Sequence, residues 1–237
     1  MDITELVGKK NTKLISIGES EIHKDILEDW LALKESAKIA GFDLSIASAF
    51  RSFDRQLQIW NDKVLGKRPV LDASGLSIDI DYLSEEELLF SILKWSALPG
   101  TSRHHWGTDL DVYDKSSIST KYEIKLTENE VSNGGVFASF HDWLDGEIKN
   151  KRNFDFFRPY ERKEMMLFSV LKKPPMISEE RWHISHNTIS SLYAQKICFD
   201  TLFNFFKTRD DILLKKSILK NFENIYENFI KVSIEKN

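Results

Sequence analysis

The stretch Pro99-Gly100-Thr101-Ser102-Arg103-His104-His105-Trp106-Gly107-Thr108-Asp109-Leu110-Asp111-Val112-Tyr113 changes the grammar of this chain. Helical periodicity stops at the breaker pair Pro99-Gly100. Two adjacent histidines follow on a glycine-bounded loop, and 108–113 then alternates polar and apolar residues as a strand does. On such a strand Asp109 and Asp111 point to the same side. On an extended loop His104 and His105 point oppositely, so only one of them can share a site with those aspartates. A second aromatic-flanked segment, Ser178-Glu179-Glu180-Arg181-Trp182-His183, begins another short strand, predicted over 180–185.

Working outward, helices and strands are mixed. Ile22, Ile26, Leu27, Trp30, Leu31, Leu33 and Ile39 predict a helix over 21–41, stopped at Gly41. Residues 42–49 alternate as a strand. A helix is predicted over 54–64 with Ser52 as its N-cap, another over 85–98, and a third over 136–148 after the turn Ser132-Asn133-Gly134-Gly135. Pro174-Pro175 marks a break. From 188 onward the pattern is helical: Leu192, Ile197, Leu202, Phe205 and Phe206 form one apolar segment, and Ile218, Phe222, Ile225, Phe229 and Val232 another. Both read as helices packed on the body. The pattern predicts an α+β fold, a small and mainly antiparallel sheet surrounded by helices with a helical C-terminal extension. There is no internal repeat.

The chain has 237 residues, 41% hydrophobic and 30% charged, with 16 Phe, 6 Trp and 6 Tyr. That aromatic load excludes a predominantly disordered chain. Lys and Arg number 33 against 37 Asp and Glu, a net charge of −4, so broad binding to a nucleic-acid backbone is not expected. The one cysteine, Cys198, excludes an intramolecular disulfide and a multi-cysteine zinc site; flanked by Ile197 and Phe199, it is expected to be buried. No stretch approaches the ~20 apolar residues of a membrane span. Met1-Asp2-Ile3-Thr4-Glu5 lacks the basic start and apolar run of a secretory signal, so the sequence reads as cytoplasmic, or as periplasmic or cell-envelope if a leader has been trimmed.

The histidines are His23, His104, His105, His141, His183 and His186. A catalytic zinc needs three ligands from His, Asp or Glu and an open fourth position. It also needs a carboxylate that is not a ligand, placed to take a proton from water. A loop histidine, an aspartate on the next strand and a histidine on a separate strand can supply the first set. A glutamate three residues before that last histidine can supply the second.

At these residues the chain resembles the D-alanyl-D-alanine carboxypeptidase and dipeptidase family of zinc peptidases, which includes VanY-type enzymes and L,D-carboxypeptidases. The first segment fits Ser-x-His-x-x-Gly-x-x-x-Asp and the second Glu-x-Trp-His. Ser48-Ala49-Phe50-Arg51-Ser52-Phe53, with Gln56 following, is similar to the family's Ser-x-Tyr-Arg-Ser element. The resemblance covers about 25–187, within a single domain expected to span 1–237. It implies that Zn2+ is held by His104, Asp111 and His183. Glu180 would be the general base towards water and then the acid towards the leaving amine, and Arg51 would stabilise the oxyanion or grip the substrate carbonyl. Ser102, Gln56 and Tyr160 would contact substrate, a peptidoglycan stem peptide or other peptide ending in D-Ala. The resemblance leaves open a D,D-carboxypeptidase, an L,D-carboxypeptidase, a D,D-dipeptidase, an endopeptidase, or a zinc-binding recognition module without turnover.

The chain departs from the family at Asp109, where a small residue is usual. Asp109 is expected to crowd the site, to hydrogen-bond a ligand, or to replace Asp111. Glu179 reads as a solvated charge, and His186 as facing away from His183. Trp106 and Trp182 read as packing residues.

Overall fold

The computed structural model describes residues 2–72, 74–161 and 176–231. It begins with a short helix, α1 (Ile3–Leu6), and a hairpin of β1 (Leu14–Ile17) and β2 (Ser20–His23) turned by Gly18 at φ +58°. The hairpin corrects the single helix expected over 21–41. Ile22 pairs with Ile15 and His23 with Leu14, a 3₁₀ turn spans Lys24–Ile26, and the helix proper is α2 (Leu27–Ile39). Ile22 and Ile26 share the helical spacing, but both are buried by a strand-to-helix corner that periodicity alone cannot distinguish from a continuous helix.

Next come β3 (Leu44–Ser48) and α3 (Phe53–Val64), whose first turn is capped by the Ser52 side chain accepting from Arg55 N. A small hairpin, β4 (Val70–Leu71) and β5 (Ser77–Ile78), leads to α4 (Glu85–Leu93), which opens on a capping box of Ser84 and Glu87. This helix ends at Leu93, before the predicted stop at Pro99. Then follow a 3₁₀ turn (Arg103–Trp106), β6 (Asp109–Asp114), α5 (Glu128–Val131), α6 (Ala138–Lys149), β7 (Phe156–Phe157) and β8 (His183–His186). The last strand is shorter than the 180–185 expected, because Glu180 to Trp182 form the turn that enters it. Pro174, Pro175 and Val232 lie outside the described residues.

The main sheet has the order β3-β6-β8-β7 with every pair antiparallel. Its alternation sorts the central strands. Leu110, Val112 and Ile184 join Trp30, Leu33, Leu44, Phe140, Leu144 and Phe156 in a core beneath α2 and α6. Asp109, Asp111, His183 and Ser185 therefore project from the opposite face. Register then sets them side by side: Asp111 is opposite His183 and Asp109 opposite Ser185, while Ser48 pairs with Asp111 across a bulge in β3.

A second core gathers Phe53, Trp60, Leu89, Ile92 and Trp106 with Leu202, Phe206, Ile218, Phe222 and Ile225. The latter five come from the C-terminal helices, which run from Asn187–Ala194 through Phe199–Lys207, Lys215–Lys220 and Phe222–Ile225. The tail thus packs against α3 and α4. Leu192, grouped with this apolar face by its spacing, is instead exposed. Cys198 is exposed as well, contrary to expectation. It occupies the N-cap of helix Phe199–Lys207, and its Sγ lies 2.8 Å from Thr201 Oγ1.

Candidate active site

Three elements deliver three buried side chains to one point. The 3₁₀ turn presents His104, β6 presents Asp111 and β8 presents His183. The turn differs from the extended loop expected, and its closing residue explains why it is tight. Gly107 sits at φ +72°, and a Cβ there would lie 2.7 Å from Leu14 Cδ2 and 3.0 Å from His23 N. The turn separates the two histidines. His105 is rotated into the body, where Nδ1 donates to Arg51 O at 2.6 Å and Nε2 accepts from Gly100 N at 3.0 Å. Burial pulls its pKa down to about 3, so it is a neutral structural pin. His104 faces the sheet.

His104 Nε2 lies 3.4 Å from Asp111 Oδ2, and His183 Nδ1 lies 3.1 Å from Asp111 Oδ1. The rings of His104 and His183 meet edge to face at 4.7 Å. The outer nitrogens fix the tautomers. His104 Nδ1 donates to Ala49 O at 2.8 Å, and His183 Nε2 donates to Asp109 Oδ1 at 2.9 Å. In its neutral form each ring therefore turns its other nitrogen, with its lone pair, towards Asp111. Yet His183 Nδ1 and Asp111 Oδ1 are both buried without a hydrogen-bond partner. Buried polar atoms are seldom left so. Ligands ~2.0–2.2 Å from a tetrahedral zinc lie about 3.3 Å from one another. The two histidine–aspartate spacings are close to this value, the three donors all lie within 4.8 Å of one another, and the unmet atoms fit such an ion; two imidazoles with one carboxylate suit zinc by donor type.

Asp109 is fully buried beside this set. Besides His183 it accepts from Arg103 Nε at 2.7 Å and Thr108 Oγ1 at 2.7 Å. Arg103 in turn donates to Ser185 Oγ at 2.6 Å. Of the three expectations for Asp109, the geometry shows a hydrogen bond to His183, one of the residues that could hold a metal. Burial alone would push its carboxyl up, but Arg103 and His183 outweigh burial and hold it well below the usual range. Burial would likewise lower His183, but the hydrogen bond to Asp109 and the adjoining Asp111 carboxylate raise it to about 9 in the metal-free site. The sequence reading did not place Arg103 in the site; its position beside His104 was the available signal.

Glu180 Oε2 lies 3.6 Å from His183 Nδ1. Burial, reinforced by the Asp111 charge, raises its carboxyl to about 7 against the pull of His183, Arg51 and Lys63. The Arg51 guanidinium is held by Gln56 Oε1 at 3.0 Å and Ser48 Oγ at 3.2 Å, and its backbone N–H donates to His104 O. Gln56 is buried, and its amide is engaged by Arg51 on one side and Ala97 O on the other, so it braces Arg51. The Tyr160 ring packs edge-on against His183 at 4.9 Å. Ser102 is buried just before the 3₁₀ turn. Trp182 stacks on Trp95, and Trp106 on Tyr193. His186 points to the other side of the sheet, 2.9 Å from Asp29.

Comparison with known proteins places this geometry in context. Residues 19–189 match the family model described as VanY, D-alanyl-D-alanine carboxypeptidase. An uncharacterized protein of Haemophilus influenzae (strain Rd) is 37% identical over 98 residues, covering 39% of this chain and 67% of that protein. Among solved structures, VanYB in complex with D-alanine-D-alanine superposes with a TM-score of 0.53 at 20% identity, over 83% of this chain and 90% of that one. A vancomycin resistance D,D-pentapeptidase VanY in complex with Zn(II) gives 0.51 at 22% identity, over 81% and 89%. At these identities the two structures are similar to this chain in fold.

Proposed function

The chain belongs to the VanY D-alanyl-D-alanine carboxypeptidase family, and from that premise we propose that it is a zinc-dependent peptidase that removes a C-terminal D-amino acid from peptidoglycan stem peptides or their fragments. The observation that carries this reading is the buried, unpartnered pair His183 Nδ1 and Asp111 Oδ1, set opposite His104 Nε2 with Glu180 alongside. His104, Asp111 and His183 would hold the metal. Bound there, zinc would polarise the scissile carbonyl and lower the pKa of water towards ~7.

The protein's own groups do the rest. Glu180 is not needed as a ligand, and a carboxyl raised to about 7 is matched to accepting a proton near neutral pH and returning it. It would take the proton from the attacking water and pass it to the amine as the peptide bond breaks. Arg51, fixed by Gln56 and Ser48, would place a permanent cation where negative charge develops on the carbonyl oxygen. Asp109 holds the His183 ring in the tautomer a metal requires. Tyr160 and Ser102 would wall the substrate side.

The test is a peptide panel, D-Ala-D-Ala, a pentapeptide stem and a tetrapeptide stem, assayed with zinc and with chelator. Chelator-sensitive release of D-Ala is expected, and the preferred peptide names the subclass. Glu180→Gln should abolish turnover while leaving zinc bound. Full activity in that variant would overturn the mechanism. Bound zinc with no hydrolysis of any peptide would overturn the carboxypeptidase reading.

A further inference from the structure

Two arginines that the proposed mechanism does not use meet on one carboxylate of helix α6. Phe140 and Leu144 bury one side of α6 in the core beneath the sheet. Asp142 and Asp145, three residues apart, lie on another side of that anchored helix. Arg181 Nε and Nη2 donate to Asp145 Oδ2 at 2.9 and 2.6 Å, and Nη2 also donates to Asp142 Oδ1 at 2.6 Å. Arg181 Nη1 donates to Val131 O at 2.6 Å. The other oxygen of Asp145, Oδ1, accepts from Arg158 Nε at 2.6 Å. The Arg158 side chain is 5% exposed, and Asp145 is its ion-pair partner. One carboxylate, with both oxygens engaged by charged donors, therefore joins two segments distant in the chain.

Each arginine stands next to a group of the candidate site. Arg181 lies between Glu180 and Trp182 in the turn that enters β8, which His183 N closes by donating to Glu180 O at 3.0 Å. Glu180 Oε2 reaches 3.6 Å from His183 Nδ1. Arg158 precedes Tyr160 by two residues, and the Tyr160 ring meets that of His183 at 4.9 Å. The three candidate ligands are fixed otherwise. They stand on the 3₁₀ turn, β6 and β8, with Ala49 O and Asp109 on the outer nitrogens of the two histidines, and Asp145 bonds none of them. Glu180 sits on a turn, outside the ladder that pairs β6 with β8. It lacks the register that aims a strand residue, and a misplacement of ~1 Å at a reacting group can cost about 100-fold in rate. The four hydrogen bonds of Arg181 to α6 and to Val131 supply the missing hold.

We propose that Asp145 is a positioning residue: through Arg181 and Arg158 it fixes Glu180 and Tyr160 against His183 without itself touching substrate or metal. This rests on the peptidase reading, and the experiment separates the two. Zinc-loaded Asp145→Asn, Arg181→Gln and the double variant are compared with wild type on the panel peptide that wild type prefers, each below its thermal midpoint. In both single variants kcat should fall about 10- to 100-fold, with KM and zinc affinity within about twofold of wild type. The double variant should be no slower than the slower single, because both remove one linkage. Asp145→Glu, which keeps the charge, should recover part of kcat. Arg181 is 25% exposed, and Arg158 keeps its partner in Arg181→Gln, so that variant carries the test where Asp145→Asn does not fold. A lowered midpoint with kcat of the folded enzyme unchanged overturns the proposal. So do losses confined to KM or zinc affinity, or losses that multiply in the double variant. Hydrogen exchange reads the same hold without turnover. The His183 amide, bonded to Glu180 O, should exchange about tenfold faster in either single variant, and the Lys115 amide, bonded to Asp43 O, should not change. If wild type hydrolyses no peptide, the peptidase reading fails and exchange decides: an effect at His183 alone supports the hold on the Glu180 turn, and no effect or an equal effect at both amides overturns it.

Discussion

Asp109→Asn separates the two tasks that one buried carboxylate performs. Asp109 and Arg103 are 0% and 2% exposed, and their ion pair is 2.7 Å long. The amide substitution keeps the shape. Its oxygen can still accept from Arg103 and His183, and its NH2 can face Thr108 Oγ1, a hydroxyl that can accept. What disappears is the charge. Removing one partner of a buried ion pair costs about 3–5 kcal/mol, and with the hydrogen bonds retained the lower end applies. For a chain of this size ~3 kcal/mol corresponds to a fall of roughly 6–12 °C in the unfolding midpoint. The second task is to orient His183, and weakening such a support typically lowers metal affinity about 10- to 100-fold. Urea unfolding of the chelated protein reads the first effect, and competition with a chromophoric chelator reads the second. Adding Arg103→Met to Asp109→Asn should recover part of the stability, because the stranded cation is gone, but none of the zinc affinity. If Asp109→Asn bound zinc within twofold of wild type and unfolded within about 0.5 kcal/mol of it, the assignment of both roles would be wrong.

Three further outcomes follow from the same geometry. His183 is raised to about 9 in the metal-free site and must be neutral to bind a metal. Zinc binding should therefore release a proton below pH 9, and affinity should rise about tenfold per pH unit from 7 towards 9; calorimetry in buffers of different ionisation enthalpy reads this, and no proton release would count against it. Lys63 titrates near 8 in the folded protein against ~10.4 unfolded, so between these values the unfolded state binds the extra proton. Wild type should accordingly gain stability relative to Lys63→Met as pH rises from about 8 to 10.5, seen in paired urea midpoints, and parallel curves would refute the depressed ammonium. Gly107→Ala should cost about 2 kcal/mol, from ~1–2 kcal/mol for the left-handed backbone plus the clash with Leu14 and the His23 backbone; an unchanged thermal midpoint would show that the turn tolerates a side chain.

Much of the sheet was legible because its determinants are local. The alternation of 108–113 placed Asp109 and Asp111 on one face, and β6 carries them there. Ser52 was readable as a cap because the cap hydrogen bond spans three residues. The first hairpin was not readable. Its strands pair Leu14–Ile17 with Ser20–His23, and the apolar residues entering α2 merge with the helical pattern. Cys198 misled because its apolar neighbours do not say which way a helix N-cap points.

The donors available to the site, and their order, are written in the chain. His104, Asp111, Glu180 and His183 stand at spacings that a strand and a tight turn bring together, because side-chain direction along a strand is fixed by the period of two. Their surroundings come from contacts between elements distant in the chain. The Arg103 charge on Asp109, the Ala49 carbonyl on His104, the grip of Gln56 on Arg51 and the hydrogen bond of Lys63 to Ser96 join residues from different elements. The register of β6 against β8 and the packing of α3 against α4 and the C-terminal helices set those distances, and local periodicity carries no information about either.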